Sequence, residues 1–107
     1  MIDANIKITV QPEKRKEVLQ TFKALLDPIR HEQGCISCNC YEDVEGENTI
    51  FLREEWKSGE DLDNHLKSVH FGVLIGAMKL LTKEPDIKFN AVVYTAGAEA
   101  IKAARTR

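Results

Sequence analysis

The chain is poor in the features that most often advertise a function. Its formal charge is −2, so it lacks the basic excess that draws a protein to phosphate backbones, and this argues against nucleic acid as the main partner. It has no apolar run approaching the roughly 20 residues needed to cross a bilayer, which removes the membrane as a partner. The opening stretch, MIDANIKITV, alternates polar and apolar residues and lacks the continuous apolar core of an export signal. Cysteine is confined to Cys35, Cys38 and Cys40, an odd number, and without an export signal this predicts reduced thiols in a cytoplasm. Tryptophan occurs once, at Trp56, and histidine three times. What remains is ordinary for a globular chain: 107 residues, 43% hydrophobic and 30% charged, enough for one core and one domain.

The hydrophobic periodicity divides the chain. Ile2, Ala4, Ile6, Ile8 and Val10 fall on one face of a strand, with Asp3, Asn5, Lys7 and Thr9 on the other. Pro12 then opens a helix expected from Glu13 to about Glu32, striped by Val18, Phe22, Leu25, Leu26 and Ile29, with Pro28 predicted to kink or divide it. Gly34 reads as its C-terminal cap. Residues 35–43 and 49–56 read as a hairpin around Gly46, and Ser58 as the N-cap of a further helix. SVHFGVLIGAMKLL extends the helical region, and residues 86–95 alternate as a last strand. The order β-α-β-β-α-β predicts an α+β, ferredoxin-like domain over residues 1–95 with a four-stranded antiparallel sheet. The tail 96–107 is expected to be frayed or ordered by a partner. Two helices cover one sheet face only. The other face, carrying Phe51, Val92 and Tyr94 among polar groups, is expected to meet a second copy and form a homodimer.

Four groups of residues are candidates for chemistry. In GCISCNCYED, alternation puts Cys38 and Cys40 on one face and Cys35 on the other, which suits neither a tetrahedral metal site nor a helix-capped redox pair. The thiols are therefore expected to pack as small hydrophobes. In NHLKSVHF, His65 and His70 lie five residues apart, about 140° around a continuous helix. They converge only if the helix breaks between them, for which Ser68 is the obvious cap. A histidine there could act as a base or hydrogen-bond a substrate, or it could simply cap a helix. Asn5, in mid-strand, needs partners if its face is covered, and Trp56 suits a core or interface anchor. Glu54 and Glu55 are expected to pair with Arg53 or lysines, or to be solvated, and His31 to lie on the surface by the end of the first helix.

The stretch EQGCISCNCYEDVEGENTIFLREEWKSGEDLDNHLKSVHF resembles the signature of the antibiotic biosynthesis monooxygenase family, with its E-x-G-C turn, EEW-x-S segment and H-L-x-S-x-H-F segment. The resemblance runs from Ile2 to Tyr94. It implies a dimeric α+β barrel with a pocket in each subunit between sheet and helices. It also implies oxidation of a small quinol, anthrone or related aromatic substrate by O2 without any cofactor. Carried over by position, Asn5 and His65 are the implied catalytic polar groups, with Trp56, His70 and Phe71 as substrate-binding residues. The haem-degrading branch has a tryptophan in place of His65 and an axial histidine where this chain has Ile75, which argues against haem. Other members isomerise a phosphorylated carbonyl compound or have no known activity, so an isomerase and a non-catalytic ligand-binding or stress-associated dimer are the alternatives.

Overall fold

Alternation in the first ten residues forms strand β1 (Ile2–Thr9), with Ala4, Ile6 and Ile8 buried along one side. The computed structural model describes all 107 residues. A 3-10 turn at Pro12–Lys14 leads into helix α1 (Arg15–Arg30). Strands β2 (Cys35–Glu42) and β3 (Thr49–Trp56) form the hairpin. Helices α2 (Gly59–Leu66) and α3 (Val69–Met78) follow, then strand β4 (Asp86–Ala91) and helix α4 (Ala98–Arg105). The sheet is antiparallel throughout in the order β2-β3-β1-β4, the arrangement expected of a ferredoxin-like α+β fold.

The core lies between the sheet and the helices. Ile6, Ile8, Ile50, Leu52 and Trp56 from the two central strands meet Phe22 and Ile29 of α1 and Leu74 of α3, all but excluded from solvent. At about 25 cal/mol per Å² of apolar surface removed from water, burial on this scale is the main force holding helices to sheet. It also explains why α1 runs unbroken through Pro28, where the sequence predicts a kink or division. Pro28 has no N–H to donate to the previous turn. Phe22 and Leu25 before it and Ile29 after it are all buried, so packing on both sides offsets the lost bond.

Two further departures from simple alternation matter for the site. In β2, Cys35 stands opposite Trp56 but Ser37 stands opposite Glu55, so Ile36 is an extra residue, a β-bulge. Directly opposed residues share a face. Cys35 therefore joins Cys38 and Cys40 on the helix-covered side, packed against the core, instead of facing away from them. At the other edge, β4 ends at Ala91, four residues earlier than its alternation predicts. Val92 makes one more bond, to the Met1 carbonyl (2.9 Å), and the residues after it meet no backbone of β1. Val92 and Tyr94 thus lie beyond the strand, and the open face is more polar than expected. Its β1 and β3 side chains are Asp3, Asn5, Lys7, Thr9, Thr49, Phe51, Arg53 and Glu55. Helix α4 stands apart with every residue exposed.

Gly34 turns the chain from α1 into β2 at φ +81°, in the left-handed region, and a Cβ there would lie 2.1 Å from Asp61 Cγ. Both constraints demand glycine. The substitution Gly34→Ala is expected to lower unfolding free energy by more than about 1 kcal/mol, read from the urea midpoint at unchanged m-value.

Candidate active site

The helix-covered face carries a charge where a hydrophobe is expected. Glu54 shares its side of β3 with Ile50, Leu52 and Trp56, and it is 2% exposed. A carboxylate so placed needs partners. Trp56 donates its indole Nε1–H to Glu54 Oε1 (3.0 Å), and His65 Nε2 lies 3.1 Å from the same oxygen, within ion-pair range but off line for a hydrogen bond. Glu54 Oε2 has no partner. The surface role expected of Glu54 is therefore overturned: alternation forces it inward with its neighbours.

His65 is the centre of the cluster. It projects from α2 and is wholly buried, with its ring stacked on Trp56 (centroids 4.5 Å apart, 26° between planes) and met edge-on by Phe71 (5.3 Å, 75°). Its Nδ1 lies 3.1 Å from both oxygens of Glu32, which follows the C-terminal end of α1. Each ring nitrogen thus faces a carboxylate. Only Nδ1 is placed to donate a hydrogen bond, to Glu32, while Nε2 meets Glu54 as a close charge contact. Burial alone would push the His65 pKa down, but the adjacent carboxylates, Glu54 first and then Glu32, outweigh it and raise the value above 6.5. The indole face adds a cation–π contact to the charged form.

His70 completes the group. Helix α2 ends at Leu66, and Ser68 caps α3 by accepting from the Phe71 N–H (3.2 Å). The break turns His70 back towards His65, and its Nδ1 reaches Glu32 Oε2 at 3.1 Å. Two imidazoles from two helices therefore converge on one carboxylate. His70 retains 38% side-chain exposure and Glu32 17%, so the cluster reaches solvent through those two side chains.

The structure brings together Trp56, His65, His70 and Phe71, and places Asn5 elsewhere. Asn5 projects from the opposite face of β1, where it accepts from Arg53 Nε (2.9 Å) and donates to Asp3 (2.9 Å). The sheet itself separates it from His65, because residues 4 and 6 are the inward ones. His65, expected to line a pocket, is wholly buried in contact with the Trp56 and Phe71 rings. Glu32 and Glu54 are the residues that sequence reasoning passed over. The signal for Glu54 was its position in the inward register of TIFLREEW; for Glu32 there was none beyond its place before Gly34. The thiols lie near the cluster without joining it. Burial, and then the charge of Glu54, push Cys35 up to about 11 and Cys38 higher still, while burial and then Glu42 raise Cys40, so all three are poor nucleophiles. His31 holds the Asp27 carbonyl at the exposed end of α1.

A one-sided sheet whose covered face carries a histidine–carboxylate cluster defines a ferredoxin-like α+β protein. The chain belongs to the antibiotic biosynthesis monooxygenase family, whose sequence model matches residues 1–76. The Synechocystis protein sll1783 is 31% identical over 96 residues, 89% of this chain, which in turn spans 64% of that relative. The Bacillus subtilis protein named "Putative monooxygenase YcnE" is 33% identical over 85 residues, 79% of this chain and 90% of its own. Among solved structures, a conserved protein from Methanosarcina mazei Go1 superposes with a TM-score of 0.78 at 32% identity, covering 83% of this chain and 89% of that one. No helix is long and apolar enough to cross a membrane.

Because the folded-state pKa of His65 lies above its ordinary value of 6.5, its contribution to stability is complete below that value and is lost as pH rises through the raised one. Urea unfolding from about pH 5 to about pH 9 is expected to show that decline in the native protein and a flatter profile in His65→Gln.

Proposed function

We propose that the protein is a cofactor-independent monooxygenase acting on a small quinol, anthrone or related aromatic compound. The observation that carries this reading is the convergence of His65 and His70 on Glu32, 3.1 Å from each. Glu32 accepts from His70 Nδ1–H, which leaves Nε2 as the proton acceptor of a partly exposed ring. His65, already committed to two carboxylates, holds Glu32 in place and acts as a positioning residue. Val73, three residues after His70 and 47% exposed, offers an apolar neighbour on the same side of α3 for an aromatic ring.

Deprotonating an electron-rich phenol or anthrone at this point gives a carbanion-like anion that can itself reduce O2. For an anthrone, the ring CH2 becomes a carbonyl: one oxygen atom enters the carbon, the other leaves as water, and the substrate supplies all four electrons. No external reductant enters the balance. The protein's part is to take the proton at His70 and to hold the anion beside the imidazolium so formed.

The protein is further proposed to work as a homodimer closed through the open sheet face, which no helix covers. Light scattering at micromolar concentration is expected to give twice the 12.1 kDa chain mass, and a 12.1 kDa species alone would remove the dimer. Anaerobic mixing with anthrone or reduced naphthoquinones, followed by air, is expected to give protein-dependent oxygen uptake, reduced at least about 100-fold in His70→Gln. Absence of uptake across such a panel would sink the oxygenase reading. Ligand-dependent thermal stabilisation without turnover would replace it with a binding function.

A further inference from the structure

Helix α4 has no surface to rest on. Its eight residues, Ala98–Arg105, are all exposed. Isolated helices shorter than about 12–15 residues are marginal in water, so α4 needs a contact that the single chain does not give it. Its pattern shows which side makes that contact. At about 100° per residue, Ala100, Ile101, Ala103 and Ala104 form one continuous apolar arc, with Glu99, Lys102 and Arg105 opposite. Ile101, the one large side chain of the arc, is 64% exposed. The arm also stretches the molecule. The radius of gyration is 15.8 Å, against about 13 Å for a compact chain of this length.

A matching surface lies on the helix-covered side of the sheet, at its β4 edge. Ile87 and Phe89 are register partners of Ile6 and Ala4, so they point to the same side as those core residues. Ile6 and Ala4 are buried, yet Ile87 is 39% exposed and Phe89 47%. The helical layer thus stops short of β4 and leaves two large apolar side chains uncovered, about 7 Å apart along the strand. The start of that strand is acidic: Glu84 and Asp86 belong to no ion pair, and Lys83 offsets only one of them. The end of the arm is basic, with Lys102, Arg105 and Arg107 equally unpaired.

The connecting segment decides whose strand α4 covers. The Val92 N–H bonds the Met1 carbonyl, and residues 92–97 contain no turn or bend that would bring α4 back onto its own β4. Seven extended steps from Ala91 to Ala98 reach at most about 25 Å. That length spans the roughly 10 Å between packed sheets and the roughly 10 Å thickness of a helix beyond them. We propose that α4 is an exchange arm that docks on a second copy of the chain. The second copy is the one packed against the uncovered sheet face above, and the docking rests on that reading. In the dimer α4 lies antiparallel to β4 of the partner subunit, with Ile101 against Ile87 and Phe89 of the partner subunit. Its basic end then falls beside the acidic start of that strand. Two-fold symmetry makes the contact reciprocal, so each arm covers the other copy's strand.

Cysteine pairing in the full chain tests whose strand the arm covers. Ile101→Cys/Ile87→Cys, oxidised at micromolar concentration, is expected to give a covalent dimer whose joined peptides contain positions 101 and 87. Either single variant is expected to give no such bond, and peptide mapping separates it from any bond through Cys35, Cys38 or Cys40. Ile101→Glu changes a side chain exposed in the single chain, so thermal melts are expected to show it folded. Light scattering on dilution is expected to show its dimer weakened at least about tenfold. The proposal is overturned if the 101–87 bond forms within one chain, if no such bond forms, or if Ile101→Glu leaves dimer affinity unchanged. In each of those cases the sheet-face dimer stands without the arm. A wild-type species of 12.1 kDa alone removes the dimer and the arm together.

Discussion

The structure depends on a histidine placed between two carboxylates under an indole ring. His65 is wholly buried, and an isolated charge there would be untenable. Glu32 from the end of α1 and Glu54 from β3 supply the opposing charge, and Trp56 both stacks on the ring and donates to Glu54. The cluster thereby joins a helix end, a central strand and two further helices. Breaking such a group by deleting one member typically costs about 3–5 kcal/mol, because an uncompensated charge stays buried. Apolar packing could hold these elements together without it. The ionic cluster adds directionality: it fixes which way α2 faces β3 and where α3 must start so that His70 reaches the same carboxylate.

The two faces of the sheet divide the chemistry between them. The covered face is dry, with charges locked in mutual contact and only His70 and Glu32 reaching solvent. The uncovered face is polar, with the Arg53 guanidinium oriented by an Asn–Asp relay. Asn5 belongs to the second environment although the family resemblance implied the first. Alternation decides this, since a residue flanked by Ala4 and Ile6 on an inward-facing strand must point outward.

Much of the fold was legible in the sequence because it rests on local patterns. The four strands and the helices between them follow from period-2 and period-3.6 stretches, and the order of elements leaves few topologies. The convergence of the two histidines was legible as a condition, that the helix break at Ser68. Other features rest on non-local facts. The extent of β4 is decided by where β1 runs out, and the continuity of α1 through Pro28 by what packs on either side. Glu54 was hidden in plain view. Its register was readable in TIFLREEW, but a glutamate is ordinarily a surface residue, and only the tertiary arrangement of Trp56 and His65 makes its burial tenable.

The bulge at Ile36 has a consequence for how β2 can change over evolution. Elsewhere in the strand, adding or removing one residue would invert every side chain beyond it and carry Cys38 or Cys40 out of the core. At Ile36 the hairpin already accommodates one unpaired residue, half exposed. A sequence one residue shorter there could keep the same register from Ser37 onward, with the span from Gly34 taking up the difference. The cysteine spacing that first suggests a ligand motif is thus set by the bulge, the one place in β2 where the pairing already carries an extra residue.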